Sequence, residues 1–426
     1  MRISITRTKA ILIFLALTGF CSSAELKAQD TLRLNISQIE EVFLNKNLSL
    51  LAQRYNVDAA RAHVIQSKLY NNPNVQFTGN IYNPQENKRF DMSNKTGEYI
   101  VDVQQLILLA GKRNKQIKLS ETGALLEEDM FFDLLRTLRF SLRSDFYQLY
   151  FLQNSFQTYK IQIAQLETLN AAFQELLSKG RISMKDAMRV KSLLYTLKAE
   201  QAALQNNMND INAELQLIIQ NNGSYIIPQI DSSQLNFDPG KYTLPNLLDT
   251  AYANRSDLRF AQNTLKYNQQ NYALQKALAV PDLTAGAEFD KRGNFVENAS
   301  FFRLAMDLPF FNRNQGNIKA AKISMERASI MLQERNVIIE NEVLKAYVKI
   351  LNTDKTLKSF DPSFKDNLQK LLISITENFQ RKNISLLEFT DFYESYKENI
   401  LLFNQLQNDR MQALEALQFS IGKSIF

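Results

Sequence analysis

Two acidic side chains near the end of the chain are the foremost candidates for chemistry. Glu388 and Asp391 fall three residues apart, so a helix carries both on one face. They follow the string Ile384-Ser385-x-x-Glu388, and an earlier string, Gly180-x-x-Ser183-x-x-Asp186, has the same form. Carboxylates so placed either attract cations or stabilise the start of a helix through its dipole. Neither role needs a nucleophile, and none is visible. The one histidine, His63, has no cysteine or second histidine with which to build a zinc site. The chain contains neither a glycine-rich phosphate loop nor a nucleophile elbow. Catalysis is the class of function least supported, and no cofactor or metal site is expected.

Both acids sit just past a tight turn between long helical patterns. From Gly111 to Gln220 two helices are expected to meet at Lys179-Gly180-Arg181-Ile182-Ser183. On the return arm Val190, Leu194, Leu197, Leu204, Met208, Ile211, Leu215 and Ile218 keep a coiled-coil spacing. The outward arm keeps a similar stripe from Phe131 to Leu176 with no proline, which at the rise of an α-helix makes a rod on the order of 100 Å long.

Ahead of that hairpin lies a helical stripe from Ile39 to Ala62, ended near Asn71-Asn72-Pro73. Two alternating strands follow, about 75–82 and 97–106, with a polar loop between them. The same order then recurs. A helix from Leu247 to Leu278 ends at Pro281, strands follow at about 283–290 and 299–310, and a long helix opens at Gly316 and turns at Arg381-Lys382-Asn383-Ile384-Ser385. The offset between halves drifts only from about 209 to about 202, which marks an internal duplication. The expected organisation is a signal peptide at 1–28, a first repeat at 29–223, a linker at 224–242 and a second repeat at 243–426. Pro362 should kink the second long helix.

The first 28 residues supply four basic side chains and one acid of a net charge of +6. The remaining +3 is too weak a balance to argue for nucleic acid. Those residues combine a basic start with the apolar run Ala10 to Phe20, too short to cross a bilayer, and so resemble an export signal. Cleavage fits after Ala24 or before Gln29. The alternative is a lipoprotein cut before Cys21, which Phe20 disfavours by standing where a small residue belongs. Apart from Cys21 the chain has no thiol, so disulfides are not available to it.

Four alternating strands of eight to ten residues have the length that crosses a bilayer when tilted. Four cannot close a barrel, so other copies of the chain must supply the rest. With two matched tips, two strand pairs and an export signal, the chain resembles the TolC family of outer membrane efflux proteins over essentially its whole mature length. The resemblance implies a mainly α fold with a transmembrane β part. It also implies a homotrimer with a twelve-stranded barrel in outer-membrane lipid and a twelve-helix periplasmic tunnel. The implied partners are a periplasmic adaptor and an inner-membrane transporter, of the RND type or another. The implied location is the outer membrane with a periplasmic extension.

By the same resemblance Glu388 and Asp391 match the acids lining the channel entrance, with Asp186 as the counterpart in the first repeat. Threefold symmetry would make each a ring that selects for or traps cations. The family prototype ties its closed tip by polar links from a tyrosine and an arginine, whose positions here are Phe379 and Ile384. Phenylalanine lacks the hydroxyl and isoleucine every donor. Closure is therefore expected to rest on apolar packing of Phe379 and Ile384, with Arg381 or Lys382 reaching Asp186 or Glu388. The adaptor is expected to dock on the tips, at Gly180, Arg181, Ile182 and Ser183 and at Asn383, Ser385 and Leu386.

The leading function is passive export of small toxic compounds or metal ions by such a duct. A duct for type I protein secretion is a close variant. A periplasmic adaptor is the rival from another class, but adaptors usually carry one hairpin within β-rich domains and this chain has two; a coiled-coil scaffold leaves the matched strands unexplained.

Overall fold

The computed structural model describes residues 31–221, 223–231, 235–292, 297–361 and 363–425. The expected signal peptide, Cys21 and Pro362 lie outside them. The first half of the chain runs β1 (Thr31–Leu34), α1 (Ile36–Lys46), α2 (Leu48–Ser67), β2 (Asn74–Gly79), a small hairpin β3 (Tyr82–Asn83) and β4 (Lys88–Arg89), β5 (Glu98–Ile107), α3 (Lys112–Ser178) and α4 (Met184–Ile219). After β6 (Tyr225–Pro228) come α5 (Leu244–Asn254), α6 (Ser256–Leu278), β7 (Leu283–Arg292), β8 (Ala299–Met306), α7 (Gln315–Lys358), α8 (Phe364–Gln380) and α9 (Leu386–Ile421).

The expected strands form one antiparallel sheet in the order β2-β5-β7-β8. Its register separates two faces. Phe77 pairs with Val101, Val101 with Phe289, and Ala287 with Phe302, all on an apolar face, whereas Asp102 pairs with Gln76 and Glu288 on the polar one. Phe77, Phe302 and Leu304 stand more than half exposed on that apolar face. Gly286 keeps the sheet close beside Asp102, since a Cβ there would lie 3.0 Å from the Val103 carbonyl oxygen, a tight contact. Among the described residues the sheet does not close, and β2 and β8 each have one edge without a strand neighbour.

Helix α3 runs 67 residues without a break, about 100 Å at 1.5 Å per residue. Near its start it is flanked on one side by α2, where Gln53 donates to Glu127 at 3.1 Å and Lys68 pairs with Glu121. On the other side is α6, where Arg259 and Asn263 reach Asp129. Asn314, at the head of α7, donates to the Gln275 carbonyl of α6 at 2.8 Å. The upper layer therefore runs α2-α3-α6-α7. Further down, α4 and α9 take over as neighbours of α3, through Lys198 to Glu167 and Asn404 to Ser155.

Both edges of the upper layer leave apolar seams uncovered. On α7 Ile323, Ile330, Val337 and Leu344 recur every seven residues and are 44–66% exposed. On α2 and just past its end, Leu48, Tyr55 and Leu69 fall on a seven-residue spacing that Ala62 completes, and these three are 57–64% exposed.

Three features differ from the sequence reading. The helices expected over Ile39–Ala62 and Leu247–Leu278 are each broken, at Asn47 and at Arg255. Asn47 caps α2 by accepting from the Leu50 amide, and donates to the Ile218 carbonyl at 2.8 Å. Arg255, 1% exposed, binds Asp257, Glu342 and the Ser420 carbonyl. In the stretch read as a linker, β6 pairs in parallel with β1. The second long helix breaks between Lys358 and Phe364, around the expected kink.

Candidate functional site at the hairpin tips

Each tip is built by its own sequence. At the first, α3 ends at Ser178 and the Gly180 and Arg181 amides donate back to the Leu177 and Leu176 carbonyls, both at 2.9 Å. Gly180 takes φ +68°, the left-handed turn that glycine allows at least cost. Ser183 then caps α4, accepting from the Asp186 amide at 3.1 Å and donating to the Asp186 carboxylate at 2.7 Å.

The second tip repeats this geometry with different residues. The Lys382 amide donates to the Phe379 carbonyl and the Asn383 amide to the Asn378 carbonyl, at 3.0 and 2.9 Å. Ser385 and Glu388 form a reciprocal capping box: the Glu388 amide donates to Ser385 Oγ at 3.2 Å, and the Ser385 amide donates to Glu388 Oε2 at 2.7 Å. Those bonds, the backbone one foremost, hold the Glu388 carboxyl below the usual carboxylate range. Whatever stability that bond adds is present above the ordinary glutamate pKa and is lost as pH falls through the lowered value. Asp391, one helical turn on, is exposed. Glu388 thus combines a capping role with its charge, while Asp391 leaves its carboxylate to solvent.

The apolar side of the tip is an aromatic stack. Phe379 lies 4.5 Å from Phe389 and 6.2 Å from Phe173 between ring centroids, near parallel in both cases, and Phe389 leans on Tyr393. Ile384 and Leu386 pack on the same buried cluster. The Tyr393 hydroxyl donates to the Gln162 carbonyl at 2.8 Å and sits 3.1 Å from Gln165 Oε1, and burial raises its pKa. The stack therefore ties the second tip to α3 of the first hairpin. Arg381 does not reach Asp186 or Glu388. Its ion pair is with Glu377 of its own helix, at 3.8 Å, and Lys382 forms no ion pair with either acid.

Sequence reading placed Phe379 and Ile384 in this packing, and missed that Phe173, Phe389 and Tyr393 complete it. It also missed Lys397, which reaches from α9 to Glu200 of α4 at 2.9 Å. The signal for the stack was available: aromatic residues at 389, 392, 393 and 396 mark one side of α9. The expected docking residues Gly180, Arg181, Ser183, Asn383 and Ser385 are all exposed, and Ile182 and Leu386 are half-buried. His63 lies exposed on α2. No described helix is long and apolar enough to cross a membrane.

The family described as outer membrane efflux protein matches residues 247–423. Similarity beyond that segment is broad. The cobalt-zinc-cadmium resistance protein CzcC of Cupriavidus metallidurans is 21% identical over 389 residues, covering 88% of this chain and 87% of its own. The solved structure of CusC superposes with a TM-score of 0.72 at 17% identity, covering 91% of this chain and 92% of that one. The Campylobacter jejuni outer membrane channel CmeC gives 0.73 at 12% identity, over 91% and 85%. The fold is that of the outer membrane channels. Residues 247–423 thus carry the outer membrane efflux protein pattern, and the chain as a whole has the fold of those channels.

Proposed function

We propose that three copies of this chain form the outer-membrane duct of a tripartite efflux system. The observation that carries this reading is the matching of open edges. Strand β2 directly follows α2 on one side of the chain, and β8 directly precedes α7 on the other, and all four outer edges lack a neighbour among the described residues. Joining the β8/α7 side of one copy to the β2/α2 side of the next pairs strand with strand and covers both seven-residue seams. Such a head-to-tail contact closes into a ring. Three copies give twelve strands, enough for a barrel with an open lumen, and the polar face of the sheet lines it.

The duct itself does no chemistry. It lets cargo delivered by an inner-membrane transporter pass the periplasm and the outer membrane, with an adaptor docked on the tips at 180–183 and 383–386. Small toxic compounds or metal ions are the cargo this reading favours. The relative CzcC is a cobalt-zinc-cadmium resistance protein, which supports metal ions as one cargo class. Glu388, Asp391 and Asp186 form charge rings at the entrance, and Phe379 and Ile384 close it by packing.

The assembly is tested by cross-linking. Strands β2 and β8 of one chain are separated by two others, roughly 14 Å at the spacing of neighbouring strands, too far for a short link within a chain. A panel of cysteine pairs such as Val75→Cys with Leu304→Cys should therefore give covalent trimers in isolated outer membranes. Ile330→Lys, which puts a charge in the α7 seam, should abolish them. Monomers from every pair would contradict the reading.

A further inference from the structure

A cationic cleft lies between α3, the start of α6, the end of α9 and the tail that follows it, far from the tips. Its volume is about 290 Å³. Helix α3 lines it with Arg136, Arg139 and Arg143, spaced three and four apart. The outer two are committed. Arg136 binds Asp133 at 2.7 Å and the Phe419 carbonyl at 2.9 Å, and lies 4.1 Å above the Phe419 ring. Arg143 holds Glu415 through two bonds of 2.7 and 2.9 Å and Glu40 through one of 2.9 Å, which uses both carboxylates that line the cleft.

Arg139, between them, forms no hydrogen bond or ion pair with any described residue, and its Nε is shut off from solvent without an acceptor. Gln418 lines the same cleft from α9 and is 7% exposed. Its Oε1 accepts from Ser424 Oγ at 2.7 Å and from the Ile425 amide at 3.2 Å, which fixes the amide and leaves Nε2 buried with no acceptor. Lys423, exposed at the rim, also has no ion-pair partner among the described residues. Buried donors are normally satisfied, and donors left open around one cleft call for an acceptor.

We infer that this cleft binds a small oxyanion of the phosphate or carboxylate class, held by Arg139, Gln418 and Lys423. The planar guanidinium offers the paired donors that such anions take, the Gln418 amide adds a neutral donor from α9, and Lys423 adds charge from the exposed tail. Aromatic rings of Phe140 and Phe419, 4.9 Å apart, form part of the wall and limit the water that competes. A bound anion would join α3 to the end of α9, where the second coiled coil meets the body of the molecule.

The probe is inorganic phosphate, titrated calorimetrically into the full-length assembled protein in a buffer free of other oxyanions. One phosphate should bind per chain, and the melting temperature should rise with phosphate concentration as binding to the folded state requires. Arg139→Gln should weaken binding at least tenfold. Lys423→Gln, at an exposed position that leaves folding unaffected, should weaken it severalfold. Absence of both heat and a melting shift in the unaltered protein would overturn the inference. So would equal phosphate affinity in the Arg139→Gln/Lys423→Gln double variant.

Discussion

Gly180 and Lys382 occupy the same position in the two hairpin tips and hold the same left-handed backbone, φ +68° and +60°. Only glycine adopts this conformation freely. For a side-chain-bearing residue it costs about 1–2 kcal/mol. The second tip therefore carries strain that the first does not, at the tip whose acids form the proposed entrance. Lys382→Gly should make the second turn more stable by about 1 kcal/mol, the relief being partly offset by the entropy of glycine. Amide hydrogen exchange at the ends of α8 and α9 should slow about fivefold. Nothing lies within 4 Å of a Cβ built on Gly180, so Gly180→Ala should cost only the backbone term and quicken exchange at the first tip.

The aromatic stack gives the tip its cohesion. Phe379 is half-buried between Phe173 and Phe389, so Phe379→Ala should destabilise the closed tip by about 2 kcal/mol, below the range for a fully buried ring. Ile384→Ala should act in the same direction by a smaller amount. Both should raise the conductance of the isolated channel. Unchanged conductance in both variants would remove apolar packing as the basis of closure.

Arg255 locks three segments together at the joint between α5 and α6. Removing it leaves Asp257 partly buried with fewer partners. Burial alone would raise the Asp257 pKa, but bonds to Arg255 and the charges of Arg255, Arg136 and Arg335 outweigh burial and hold it low. Arg255→Ala should cost about 3 kcal/mol, the scale for breaking a buried pair. The Asp257 share of stability is present above the ordinary aspartate pKa and is lost as pH falls through the lowered value. Arg255→Ala should accordingly flatten the acid limb of the melting curve against pH.

Asp145 works in the opposite sense. Its carboxyl is half-buried on α3, and burial, followed by the charge of Glu214 on α4, pushes its pKa up to about 7. A raised acid contributes stability that is full below its unfolded value, near 4, and is lost as pH rises towards 7. The melting temperature should therefore fall between pH 4 and 7 through this group. Asp145→Asn should remove that part of the slope and be the more stable protein at pH 8.

Much of the fold was legible because periodicity spoke plainly. Two strand pairs, an unbroken first arm and two tips were read from spacing, with ends within a few residues of those observed. The breaks at Asn47 and Arg255 were not, since a single polar residue inside an amphipathic stripe does not interrupt the stripe; what it does depends on acceptors far along the chain, such as the Ile218 and Ser420 carbonyls. Strand β6 was hidden for a related reason: four residues pair with β1, nearly two hundred positions earlier. At the site, Phe379 and Ile384 were placed in the packing, but the ion pairs expected of Arg381 and Lys382 were not found. A lysine or arginine in a turn takes the nearest acid its rotamers reach, and for Arg381 that is Glu377.

The duct reading is tested most directly by single-channel recording of purified protein in planar bilayers, with and without Glu388→Ala and Asp391→Ala. It predicts discrete openings from the assembled protein, selective for cations, with selectivity weakened by each substitution and most by the pair. Well-folded trimers that stay silent even after Phe379→Ala and Ile384→Ala open the tip, or openings whose selectivity ignores both acids, would contradict it.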